Sequence, residues 1–298
     1  MKHKNKVLLS QLALLMVAFI WGGGFIVVKN SLETISPLWL MAIRFQIAAL
    51  SVSLIFYKKI KLINKEILKA GIICGIFIYV AFVFQTVGIA HTTASKNALL
   101  TASYVVLTPF TFWLLIKKRP RSYQVFAALL CFAGIFLLIY KGSFEKINYG
   151  DFLTLICGLL FAFHISLLGI YSARFDTIAL TIVQMGVCAL IATLGALVFD
   201  DLPEKLSGAT IASVLYLGLL STSFAYLVQT VAQKHTPPSH ISLIMSLESA
   251  IGAILSVIIF KDSFTPLMWL GSILTFASVI ISQYSHGKRG KQEKIKAQ

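Results

Sequence analysis

Charge is scarce in this sequence. Asp, Glu, Lys and Arg together fill 12% of its 298 positions, about half the quarter that a soluble domain uses to cover its surface. Acidic residues are scarcer still, 11 against 26 basic ones. The shortage argues against a water-soluble enzyme. The remainder is apolar, with 58% of residues hydrophobic and a mean hydropathy of +0.86, and the few charges cluster between long uncharged runs. That pattern marks an integral membrane protein. The net charge of +15 would point to nucleic acid in a soluble protein. Here basic residues flanking membrane spans account for it, and no nucleic-acid partner is expected.

Several catalytic signatures are missing as well. There is no GxxxxGK[ST] loop for ATP, and no HExxH, acidic pair or nucleophile elbow inside the apolar runs. The four cysteines, Cys74, Cys131, Cys157 and Cys188, lie in such runs without a CxxC pair. Neither a disulfide frame nor a metal site is indicated, and no cofactor is expected. Lys2, Lys4 and Lys6 precede the apolar stretch 7–20 as in a signal peptide, but no small-x-small cleavage site follows. The stretch reads as a first membrane helix. No linker or low-complexity tract marks a soluble appendage.

A spanning helix needs about 20 apolar residues. Ten such stretches are expected, at 7–28, 36–57, 67–90, 95–116, 122–141, 150–172, 177–199, 207–233, 239–260 and 266–285. The fold class is therefore all-α, a polytopic bundle of ten transmembrane helices. Sorting Lys and Arg by alternate sides places 19 with the two termini and 6 on the opposite face, with Arg44 inside a span. By the positive-inside rule both termini face the cytoplasm, in the cell membrane.

An internal repeat lies beneath the hydropathy. Phe84-Gln85-Thr86-Val87 aligns with Val228-Gln229-Thr230-Val231 at an offset of 144, and His91-Thr92 with His235-Thr236. The register continues through Ser95 and Ser239, Leu99 and Leu243, Lys117 and Lys261, and Phe132-Ala133 and Phe276-Ala277. At an offset of 140, Trp21 meets Phe161 and Arg44 meets Gln184. The expected domains are residues 1–141 and 142–285, each of five helices, followed by a basic cytoplasmic tail at 286–298. Five is odd, so the second unit enters the membrane inverted. Inverted repeats are a recurring plan of secondary transporters, with substrate bound between the halves near the midplane.

Ala18-Phe19-Ile20-Trp21-Gly22-Gly23-Gly24-Phe25 resembles the first span of the EamA-type drug/metabolite transporter family. The segment from Thr92 to Leu100, then Pro109, is similar to that family's fourth span. Leu247-Glu248-Ser249-Ala250 resembles its Leu-Glu-Pro stretch, with Ser249 where proline is usual. Asp262 fits the acidic residue before its tenth span, whereas Lys118 and Arg119 depart from the pattern in the first half. The resemblance covers the whole chain. It implies ten helices and transport of small metabolites, often export of amino acids or toxic compounds, and it fixes no substrate.

Ionisable groups inside a span are costly, about 2.5–3.5 kcal/mol at the centre on insertion scales. Glu248 is the sharpest case, with Tyr104 as its counterpart in the repeat. The two are expected to face each other across a central cavity, Glu248 accepting a proton or a substrate amine; otherwise it is a structural carboxylate, paired with Arg44 or hydrogen-bonded to hydroxyls. Arg44 reads as a carboxylate-recognising or helix-holding group. His164 is a proton relay or a packing histidine. Lys96 needs a partner if it lies below the interface, and His91 and His235 read as helix-end residues.

Asn97, Thr101, Tyr104 and Thr108 form one polar stripe, Tyr226, Gln229, Thr230 and Gln233 another, and Gln85 and Thr86 a third. Such faces turn inward, to helices or to water. The expected substrate or proton path comprises Trp21, Gln85, Asn97, Thr101, Tyr104, His164, Tyr226, Gln229 and Glu248. Phe82, Tyr104, Phe163 and Tyr226 leave room for neutral or amphipathic solutes. The expected function is secondary transport, with export favoured. Its partners are a small-molecule solute, the bilayer and protons; oligomeric state is open. The alternatives are a membrane-embedded enzyme on a lipid-like substrate and a non-transporting helical scaffold.

Overall fold

The computed structural model describes residues 2–117, 119–139, 148–203, 206–235, 244–262 and 265–284, without the side chains of 2–8, 138–139, 234–235 and 282–284. Every described element is helical. The helices are α1 (Lys2–Ser31), α2 (Pro37–Ile55), α3 (Lys65–His91), α4 (Ala94–Thr101), α5 (Ser103–Ile116), α6 (Ser122–Ile139), α7 (Tyr149–Ser172) and α8 (Thr177–Phe199). Then come α9 (Gly208–Leu215), a π-helical segment (Tyr216–Phe224), α10 (Ala225–His235), α11 (Leu247–Phe260) and α12 (Pro266–Tyr284). A short 3₁₀ turn, Tyr57–Leu62, joins α2 to α3.

Sequence explains where these helices start. Ser36, Asn64, Thr93, Asn148, Asp176 and Ser207 each accept a backbone N–H of the first turn through the side-chain oxygen, the arrangement that makes these residue types good N-caps. Two helices end on lysine in the left-handed region, Lys117 (φ 60°) and Lys261 (φ 55°), a conformation that costs a residue with a Cβ about 1 kcal/mol. They are the pair that the offset of 144 brings together.

Among the described residues, seven helical stretches are long and apolar enough to cross a bilayer, and Ser122–Leu137, Leu247–Phe260 and Pro266–Ile281 are shorter apolar helices. Each overlaps one of the ten expected stretches. Three details differ. The fourth stretch is interrupted at Ala102, between α4 and α5. The eighth passes through the π segment, where Thr222 and Ser223 direct their hydroxyls to the carbonyls of Leu217 and Gly218, five residues back. The first helix runs on to Ser31, beyond the expected residue 28. The 141/142 boundary and the tail at 286–298 lie outside the described residues.

Packing follows a pattern that survives exchange of the chain's halves. α1 lies on α11 as α7 lies on α4 and α5, and α7 lies on α3 as α1 lies on α10. α3 packs on α8 as the π segment packs on α2, while the pairs α2–α8, α4–α11 and α6–α12 map onto themselves. Glycines set the close approaches. A Cβ on Gly75 would stand 2.8 Å from Val187 Cβ and 3.0 Å from the Gln184 carbonyl oxygen. One on Gly218 would stand 2.6 Å from Ile47 Cγ2 and 3.2 Å from the Arg44 carbonyl oxygen. Gly75 and Gly218 are 143 residues apart, whereas Gln85 and Gln229 are 144 apart. The extra residue is absorbed by the wide turns of the π segment.

At one end of the bundle the halves are tied together. Lys96 Nζ reaches Asp151 at 3.1 Å, and Thr92 donates to the same carboxylate at 2.5 Å. Ser95 donates to Asp262 at 2.6 Å, Ser36 to Asp200 at 2.5 Å, and the hydroxyls of Thr34 and Thr210 meet at 2.8 Å. At the other end Lys59 pairs with Asp176 at 2.8 Å. The outer faces of the bundle carry exposed apolar side chains, Leu54, Phe126, Phe199 and Ile258 among them.

Candidate functional site: a polar cavity between the halves

The helices line an open cavity of about 600 Å³ of empty space, a figure that includes the solvent at its mouth. α1 contributes Trp21, Gly24, Phe25 and Val28; α2 gives Arg44; α3 gives Phe82, Gln85 and Ile89. α4 and α5 supply Asn97 and Tyr104, α7 supplies Phe161, His164 and Ile165, and the π segment supplies Ser221. Tyr226 and Gln229 come from α10, Glu248 from α11, and Met245 lies just before it.

Most of this lining comes in pairs related by the repeat. Phe82 and Tyr226, Gln85 and Gln229, and Tyr104 and Glu248 stand at the offset of 144. Trp21 and Phe161, Gly24 and His164, and Phe25 and Ile165 stand at 140. Both halves thus present the same helix positions to one space, with different chemistry at each.

The aromatic wall is continuous. Trp21 lies 5.1 Å from Tyr226 between ring centroids, Tyr226 6.1 Å from Phe82, Phe82 5.4 Å from Phe161, and Phe161 6.4 Å from Tyr104. The Trp21 indole N–H donates to the Ser221 carbonyl at 2.7 Å, which pins the ring to the π segment. Arg44 is buried; its Nε donates to Thr222 Oγ1 at 2.6 Å and its Nη2 to Ser221 Oγ at 3.2 Å. The guanidinium lies 4.4 Å from the centre of the Phe82 ring, a cation–π contact.

Glu248 is buried at the cavity edge. Its expected alternative partner, Arg44, is not paired with it: among the described residues the ion pairs are Lys59–Asp176 and Lys96–Asp151. The Tyr104 hydroxyl neighbours the Glu248 carboxyl but lacks a partner in hydrogen-bonding geometry. His164 Nε2 lies 3.2 Å from Gln184 Oε1, so one ring nitrogen is already engaged. Asn97 Nδ2 donates to Thr154 Oγ1 at 2.7 Å and to the Gln85 carbonyl at 3.3 Å, leaving its Oδ1 without a partner.

Eight of the nine expected path residues, and Arg44, line this one cavity. Thr101 does not. It is buried beside Cys157, because α4 packs that face onto α7. Thr108 and Thr230 also turn away, each bonding the carbonyl four residues back, Tyr104 and Tyr226. Phe163 packs on Phe77, 5.6 Å between centroids, and Phe161 takes the place at the cavity. His91 lies against Tyr149 at the bundle end; the His235 side chain is outside the described residues. Sequence reasoning missed Asp151 as the partner of Lys96, and the Ser221 and Thr222 hydroxyls on Arg44. Only Asp151 carried a signal, as an acidic residue at the mouth of an apolar run. Among the described residues no group of three His, Cys, Asp or Glu is placed to hold a metal ion.

The model of the EamA-like transporter family matches this chain twice, over residues 8–140 and 148–284. The chain belongs to the EamA-like transporter family. An Archaeoglobus fulgidus protein named only as an uncharacterized transporter is 31% identical over 276 residues, covering 93% of this chain and 86% of that one. An Escherichia coli protein named a probable amino-acid metabolite efflux pump is 24% identical over 288 residues, covering 91% and 93%. A protein of known crystal structure shares the fold with a TM-score of 0.71 at 15% identity, over 92% of this chain and 97% of its own. This EamA-like chain is accordingly a multi-pass membrane protein of a transporter family.

Proposed function

We propose that the chain is a secondary transporter that exports small metabolites, amino acids or drug-like solutes among them, by alternating access. In this reading it has ten spans in two inverted five-helix units, 1–141 and 142–285, with both termini on the cytoplasmic side of the cell membrane. The observation that carries it is the cavity lining drawn in register pairs from the two halves. Two units that can exchange conformations give inward-open and outward-open states of similar energy around one fixed site. The matched packing of α1–α11 and α7–α4/α5, and the matched lysine caps Lys117 and Lys261, support the same reading.

Glu248 is the coupling group in this scheme. It is buried, and among the described residues no cation pairs with it, so in this scheme it binds either a proton or the amine of the solute, and the two compete. The direction of export follows the E. coli relative's name. The test is efflux from sealed proteoliposomes under an imposed pH gradient. Glu248→Gln is expected to abolish the pH dependence of flux; unchanged rate and pH dependence would refute the role. Topology is tested separately by labelling single cysteines at 91 and 235 from each side. Labelling of both from one side would refute the inverted arrangement.

A further inference from the structure

We propose that Arg44 is a carboxylate-binding subsite, so that the cavity reads both poles of an amino-acid-like zwitterion. This deepens the transporter reading and rests on it. A guanidinium carries five N–H donors, and the two engaged here, on Nε and Nη2, go to neutral hydroxyls. Thr222 in turn gives its own proton to the Leu217 carbonyl at 2.7 Å, so it accepts from Arg44 without moving. The wide π turn is what brings residues 221 and 222 to this place. These contacts and the Phe82 face orient the cation but leave its charge unopposed, since no carboxylate lies within ion-pair distance of Arg44 among the described residues. A buried charge in that condition is expensive, and Arg44 is only 4% exposed while lining the cavity.

The rest of the lining narrows the anion. Among the described residues no second Lys or Arg borders the cavity, which disfavours a doubly charged phosphate and suits a monovalent carboxylate taken on the Nη1 edge. At the repeat-related position stands neutral Gln184, and opposite Tyr104 stands Glu248. The two halves have therefore diverged into one cationic and one acidic pole that are not paired with each other. A solute bearing both a carboxylate and a protonated amine satisfies both. Its apolar side chain then lies against Trp21, Phe82, Phe161 and Tyr226.

The experiment is thermal unfolding of the purified full-length protein in detergent, titrated with L-leucine and L-phenylalanine, their amides, and the decarboxylated amines isoamylamine and phenethylamine. A ligand that binds the folded state raises the melting temperature, by an amount that grows with the logarithm of its concentration over Kd. The wild type is expected to bind the amino acids about tenfold to a hundredfold more tightly than the amides or amines. Arg44→Gln is expected to erase that preference and leave the amides unaffected, while Arg44→Lys keeps part of it and serves if the glutamine variant does not fold. A wild-type preference that survives in Arg44→Gln overturns the subsite. Equal binding of amino acid and amide in the wild type, lost in Glu248→Gln, overturns the subsite while leaving the transporter reading intact. Stabilisation by none of the six overturns the subsite; flux of another solute in proteoliposomes then decides the transporter reading independently.

Discussion

Replacing Lys96 by methionine removes the cation that stands 3.1 Å from Asp151. Asp151 is fully buried, and among the described residues the Thr92 hydroxyl is the side-chain donor left to it, at 2.5 Å. Breaking a buried pair from one side costs about 3–5 kcal/mol, because the remaining charge is left without compensation. The Thr92 bond places this case toward the lower figure, about 3 kcal/mol, which is over a hundredfold in the folding equilibrium. Replacing both members, Lys96→Met with Asp151→Leu, removes the stranded carboxylate and should recover most of the loss, since apolar substitutes for buried pairs are often neutral. The assay is equilibrium unfolding in mixed micelles, followed by helical circular dichroism, for wild type, both single variants and the double. The coupling term from that cycle isolates the pair. A Lys96→Met variant within about 1 kcal/mol of wild type, or a double variant no better than the single, would refute the argument.

Gly150→Ala should destabilise by about 1–3 kcal/mol, since its Cβ would lie 2.5 Å from the Gly88 carbonyl oxygen and 2.9 Å from the Thr92 nitrogen, all unyielding backbone. Gly186→Ala in α8 meets nothing within 4 Å and should stabilise by about 0.5–1 kcal/mol, measured by the same unfolding assay. Burial works against the Asp176 carboxylate, but the Lys59 ammonium and the N–H groups of Ala179 and Ile178 outweigh it and hold its pKa below the usual 3.8. A depressed carboxylate contributes stability above its unfolded pKa and loses it as pH falls through the folded value. Asp176→Asn, which keeps the cap, should therefore be less stable than wild type at neutral pH, and the gap should close only below the ordinary carboxylate range. A gap that stays constant down to strongly acid pH would show that Asp176 is not so held.

Much of the architecture is local information. The apolar runs place the helices, and six side-chain caps start them, because a Ser, Thr, Asn or Asp oxygen reaches its own first turn whatever the surroundings. The repeat is legible too, since two chains of matched residues need no structure to align, and it pointed to most of the cavity lining. Partnership is where sequence stops. Arg44 meets Thr222 and Ser221, 178 and 177 residues away, and Lys96 meets Asp151 across the halves. Thr101 has the spacing of a cavity residue, yet α4 packs that face onto α7. A one-residue difference in register, taken up by a π turn, decides which hydroxyls reach the guanidinium. Periodicity specifies which face of a helix is polar; only the packing of one helix against another decides what that face meets.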